Sequence, residues 1–121
     1  MMFLSDIEKE ILNLLKNRDY EYPYTRKALE SALRYLGLLI TKDDRPMRLA
    51  IESLRKKGYL VCHRKGNQNG YFIAKTMEEY EEFRWREYKK RIISASKTLG
   101  IMDKAAEAKF GQQIQLELFY F

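Results

Sequence analysis

Arg48-Leu49-Ala50-Ile51-Glu52-Ser53-Leu54-Arg55-Lys56-Lys57-Gly58-Tyr59-Leu60-Val61 reads as a helix that stops and turns into a strand. Met47, Ala50, Ile51 and Leu54 recur at helical spacing and make an inward stripe. Lys56 and Lys57 sit at the negative end of the helix dipole, and Gly58 is suited to the residue just beyond the last turn. Tyr59 to Arg64 then has a strand's composition. Lys65-Gly66-Asn67-Gln68-Asn69-Gly70 is dense in residues that tolerate positive φ, and Tyr71-Phe72-Ile73-Ala74 is the returning strand. This is a β-hairpin entered directly from a helix.

Upstream, Asp43 or Asp44 opens that helix, and Pro46 suits its first turn. Ser5-Asp6-Ile7-Glu8 is a capping box, with Ile7, Ile11, Leu14 and Leu15 behind it, so a first helix should run to about Asn17. Asp19 to Tyr24 is an aromatic loop stopped by Pro23. Thr25 can cap a second helix carrying Ala28, Leu29, Ala32, Leu33 and Leu36, with Gly37 as its stop. Leu38-Leu39-Ile40-Thr41 is a short apolar link that can form a strand.

Downstream, Thr76-Met77-Glu78-Glu79 is a second capping box. Met77, Tyr80, Phe83, Tyr88, Ile92, Ala95 and Leu99 carry a long charged helix to Gly100, and Asp103 to Phe110 predicts one further short helix. Gly111 begins a tail. The expected class is mainly α with a small β-hairpin: residues 1–75 form one domain, 76–110 a helical extension and 111–121 an extended tail.

Helix, helix, helix and hairpin is the order of a winged helix-turn-helix. Arg48 to Val61, closed by Gly70-Tyr71-Phe72-Ile73-Ala74, resembles the helix-to-wing run of prokaryotic DNA-binding domains of that family and of small phage proteins that share it. The resemblance covers roughly residues 5 to 75. It implies that the third helix enters the DNA major groove and that the wing touches the backbone or the minor groove.

Charge agrees with a polyanionic partner. The chain carries +6 with a pI near 9.4. Between Arg45 and Lys65 seven Lys/Arg stand against the single acid Glu52, a net +6 in one segment. The spacing puts Arg45, Arg48, Glu52 and Arg55 opposite Met47, Ile51 and Leu54, on the side a DNA groove would meet. With Lys56, and with Arg64, Lys65 and Asn67 of the wing, they are the expected contacts to double-stranded DNA. Glu52 departs from a purely basic face: an acid there either reads cytosine or repels phosphate. Tyr20, Tyr22 and Tyr24 are expected to pack against the first helix. A second basic stretch, Arg84 to Lys97, has six bases against Glu87. It falls within residues 76–99, where Tyr80, Phe83, Tyr88 and Ile92 need a cover and a homodimer would supply one.

Catalytic chemistry has little support. Cys62 and His63 are adjacent, so on a strand they point to opposite faces, whereas a structural metal needs about four converging ligands. Gly66 and Gly70 flank a hairpin turn, unlike a phosphate-binding loop. A non-enzyme without metal or cofactor is expected, with Cys62 as a small buried hydrophobe. One cysteine agrees with a reducing compartment, no apolar run approaches the ~20 residues of a membrane span, and Met1 to Ile11 lacks a signal-peptide layout. A cytoplasmic protein that does not enter a membrane is the expectation.

The tail carries the most specific motif. Gln115-Leu116-Glu117-Leu118-Phe119 resembles the bacterial sliding-clamp-binding motif, in which a glutamine anchors the peptide and Leu and Phe fill an apolar pocket. Gln113-Ile114-Gln115-Leu116-Glu117-Leu118-Phe119-Tyr120 also resembles the PIP box that binds PCNA, the archaeal and eukaryotic clamp. The two registers share Leu116 and Phe119, use different glutamines, and extend to Leu118 or Tyr120. The small-phage-protein resemblance favours the bacterial clamp. A C-terminal strand packed on the domain is the competing structural explanation.

The expected function is a DNA-binding accessory protein of replication or repair, of phage or mobile-element type, tethered to the clamp. Alternatives are a winged-helix transcriptional regulator whose tail is structural or dimer-forming, and a clamp-blocking inhibitor.

Overall fold

The computed structural model describes residues 3–66 and 69–111. It is mainly helical, with one two-stranded antiparallel hairpin and a long C-terminal helix. The elements are α1 (Asp6–Leu15), α2 (Arg26–Tyr35), α3 (Arg45–Lys56), β1 (Val61–Arg64), β2 (Gly70–Ile73), α4 (Met77–Arg84), a π-helical segment (Trp85–Lys89) and α5 (Lys90–Phe110). They fall into two compact units, divided between Phe83 and Arg84.

Local chemistry sets the helix ends of the first unit. Ser5 Oγ accepts from Glu8 N at 3.3 Å, while Ser5 N donates to Glu8 Oε1 at 3.1 Å, completing the capping box. Thr25 Oγ1 accepts from Ala28 N at 3.2 Å to start α2, and Gly37 ends the turn after it at φ +74°. Asp44 precedes α3 without capping it through its side chain, which is committed elsewhere.

The link between α2 and α3 is not a strand. Its far end is held by Arg34, whose guanidinium donates to the carbonyls of Thr41, Lys42 and Asp43. Those groups are satisfied by one side chain, and a ladder partner is unnecessary. Leu39 plugs the core beneath this clamp.

The core lies among the first three helices and one face of the hairpin. Ile11 and Leu15 meet Leu29, Leu33, Met47, Ile51 and Leu54, and Val61 and Tyr71 close the cluster. The register pairs Val61 with Ile73, Cys62 with Phe72, His63 with Tyr71 and Arg64 with Gly70. Alternation therefore sends Cys62 and Phe72 to the opposite face, where Phe83, Tyr80 and Tyr20 cover them. The hairpin is buried on both faces where Val61 and Cys62 face Phe72 and Ile73, which is why those four positions are apolar without a polar alternation. The α4 residues Tyr80 and Phe83 are thus core of the first unit, and the cover they need comes from the hairpin.

A further tie joins the α1–α2 loop to the hairpin. Tyr24 and Tyr71 exchange both backbone hydrogen bonds at 2.8 Å. Gly70 sits against this bridge: a Cβ there would come within 2.7 Å of the Tyr24 carbonyl oxygen. Only glycine lets the two backbones approach so closely.

In the second unit, α5 passes straight through Gly100 to Phe110, so the separate helix expected from Asp103 is the continuation of one helix. Gly100 keeps a negative φ, whereas Gly111 takes φ +67° and ends the helix. An interior glycine costs a helix about 1 kcal/mol and does not by itself stop it.

Candidate nucleic-acid interface

With Met47, Ala50, Ile51 and Leu54 buried, the opposite side of α3 is set by geometry. Arg45, Leu49, Glu52 and Lys56 follow at intervals of four, three and four. At about 100° per residue they lie within a stripe about 60° wide, centred opposite the core. Arg45, Leu49 and Lys56 are exposed, and the Glu52 side chain is about half-exposed at 47%. A 12-residue helix spans about 18 Å, long enough to lay this stripe along a DNA groove.

The structure redistributes the other sequence-predicted contacts. Arg48 is exposed but tied to Asp44 Oδ1 at 3.0 Å. Arg55 is not on the outward stripe: its Nε donates to Val61 O at 2.8 Å and its guanidinium lies 4.9 Å from the Phe83 ring centroid. Its side chain is only 20% exposed, and Glu52 stands 3.9 Å from its guanidinium. Arg64 likewise donates to Tyr20 O at 2.8 Å and stacks over the Tyr20 ring at 4.4 Å. Both arginines sit at the margins of their elements, where the helix and the hairpin touch neighbouring segments. Their guanidiniums hold the fold together. Lys65 is exposed at the hairpin tip, and Asn67 lies outside the described residues.

Leu49 belongs neither to the inward stripe nor to the contacts expected from sequence, because those contacts are chosen by charge. Its signal was its place in line with Arg45 and Glu52, away from Ile51 and Leu54.

Asp44 is a hub. Its buried carboxylate accepts from both Arg26 and Arg48, whose side chains are each about half-exposed. Burial raises its pKa, but the two guanidiniums outweigh that and hold it below the ordinary carboxylate value. One acid thereby orients two cations at the start of α3. Among the tyrosines, Tyr24 packs on the main core, Tyr20 stacks edge-on to Phe72 at 5.8 Å, and Tyr22 is exposed.

Cys62 is buried, and burial pushes its thiol up to about 11, consistent with a packing role. Among the described residues no group of three His, Cys, Asp or Glu could hold a metal ion. No helix among them is long and apolar enough to cross a membrane. Gln113, Gln115, Leu116, Leu118, Phe119 and Tyr120 of the tail motifs lie outside the described residues. Comparison with family models, curated proteins and solved structures finds no match to this chain.

Proposed function

We propose that the chain is a DNA-binding accessory protein of DNA replication or repair, built on a winged helix-turn-helix and tethered to a sliding clamp by its tail. The observation that carries the DNA half is the outward stripe of α3, Arg45, Leu49, Glu52 and Lys56, presented opposite a buried face. The carrying feature for the clamp half is Gln115-Leu116-Glu117-Leu118-Phe119, with Gln113 to Tyr120 as the PCNA register. Two modest contacts reinforce each other, because clamp tethering raises the local concentration at DNA.

Fluorescence anisotropy with a labelled duplex across a salt series tests the first half. Arg45→Ala/Lys56→Ala should weaken binding and lower the salt slope by roughly 0.9 for each phosphate that is no longer neutralised. Unchanged affinity in that double variant sinks α3 as the reader. Pull-down with the bacterial clamp and with PCNA tests the second half. Loss with Gln115→Ala identifies the bacterial register, and loss with Gln113→Ala identifies the PIP box.

A second reading, a dimeric transcriptional regulator, is favoured by α5. No residue of α5 is buried, and its Ile92, Ala95, Leu99, Met102 and Ala106 recur alternately at three and four. That is the period of a two-helix seam. A concentration-independent monomer mass in sedimentation would remove this reading.

A further inference from the structure

A second basic surface lies away from the α3 stripe. An open groove of about 700 Å³ runs between the start of α2 and the hairpin tip. Its walls carry Arg18, Arg26 and Lys27, and among the described residues no carboxylate lines it. Arg26 and Lys27 also line a second recess of about 370 Å³, with Glu30, Asp43 and Asp44, and Arg26 is paired there with Asp44. The volume falls within the ~300–1,000 Å³ typical of small-molecule sites.

The groove also has an aromatic wall. Tyr22 is 65% exposed beside the buried Pro23. Its backbone N–H donates to Asp19 Oδ1 at 3.0 Å, which fixes the turn that presents the ring. Arg18 is held over the Tyr24 ring at 4.7 Å, and Arg26 is oriented by Asp44. Two of the three cations are therefore pre-positioned, and Lys27 is exposed. Asn69 spends its carboxamide oxygen on Gly66 N at 2.8 Å, so its NH₂ group is what it can offer a ligand. Converging cations suit a phosphate, while an exposed ring and an amide donor suit a heteroaromatic base.

We propose that this groove binds a nucleotide, its phosphate held by Arg18, Arg26 and Lys27 and its base stacked on Tyr22. The ligand chemistry is that of a nucleoside phosphate, either free or as one unit of a nucleic-acid strand. The site does not depend on α3 reading DNA.

The test uses the full chain, ¹⁵N-labelled, titrated separately with AMP, a single-stranded oligonucleotide, a duplex and inorganic phosphate. Amide shifts at Tyr22, Lys27 and Asn69 are expected with AMP or with a strand, and the probe that produces them identifies the source. Arg18→Ala/Lys27→Ala should weaken that binding at least tenfold. Tyr22→Ser should weaken it at least threefold, and Tyr22→Phe should restore it. Should the double variant fail to fold, Lys27→Ala alone should still weaken binding measurably. Arg45→Ala/Lys56→Ala should weaken duplex binding while the groove shifts produced by AMP persist, which separates this site from α3. Absence of groove shifts with every nucleotide probe overturns the proposal. So does inorganic phosphate binding as tightly as AMP and the strands with no effect of Tyr22→Ser.

Discussion

Glu8 shows how much a single side chain can do in a small domain. Its backbone neighbours make it half of a capping box, yet the same carboxylate accepts from Lys57 Nζ at 2.8 and 3.0 Å. Ser53 Oγ reaches it as well, at 3.3 Å, and Lys57 also donates to Phe3 O at 2.7 Å. One buried acid thus joins the start of α1 to the end of α3. The Lys57 hydrogen bond is the largest influence on it and, against the opposing effect of burial, holds its pKa down to about 2 from an ordinary 4.5. A depressed carboxyl pKa means stability that is fully present above pH 4.5 and is lost as pH falls from there towards 2. Glu8→Gln should cost about 1–2 kcal/mol near neutrality. The urea midpoints of wild type and variant should converge as pH drops through that window. A gap that stays constant with pH would mean that Glu8 acts by shape alone.

At the scale of elements, α3 divides its arginines between two tasks. Arg45 stands on the outward stripe, while Arg55 bonds the Val61 carbonyl and stacks on Phe83. Arg55→Ala should therefore destabilise the protein by about 1–2 kcal/mol, because it removes both the hydrogen bond and the cation–π interaction. Arg45→Ala should change stability by less than about 0.5 kcal/mol. Thermal melts of the two variants should separate them clearly. Equal melting temperatures would show that Arg55 is as dispensable as an exposed residue. The hairpin makes the same division, with Arg64 bound to Tyr20 and Lys65 left at the tip.

For the whole molecule, every buried hydrophobic side chain among the described residues lies at or before Phe83. The first unit holds the core, and no residue of α5 is fully buried. A chain ending at Arg84 retains every buried hydrophobic side chain described and should still unfold in one cooperative transition. Denaturant titration checks this, and loss of that transition would mean that residues after 84 contribute to the core.

The order of the first three helices and the hairpin, the caps at Ser5 and Thr25 and the inward stripe of α3 follow from the amino-acid sequence. Each rests on interactions within a few residues, through helical or strand periodicity and local hydrogen bonds. Which cations remain outward is a matter of tertiary structure. In the sequence Arg55 is a surface-type cation like Arg45, but Phe83, the ring it stacks on, lies where only the folded chain brings it. The same holds for Lys57, which meets Glu8 across 49 residues. It holds too for the groove of Arg18, Arg26 and Lys27, whose far wall, Asn69, comes from the hairpin tip. Side-chain partners distant in sequence leave no local pattern, because a charged residue has the same composition whether it ends in water or against a carbonyl.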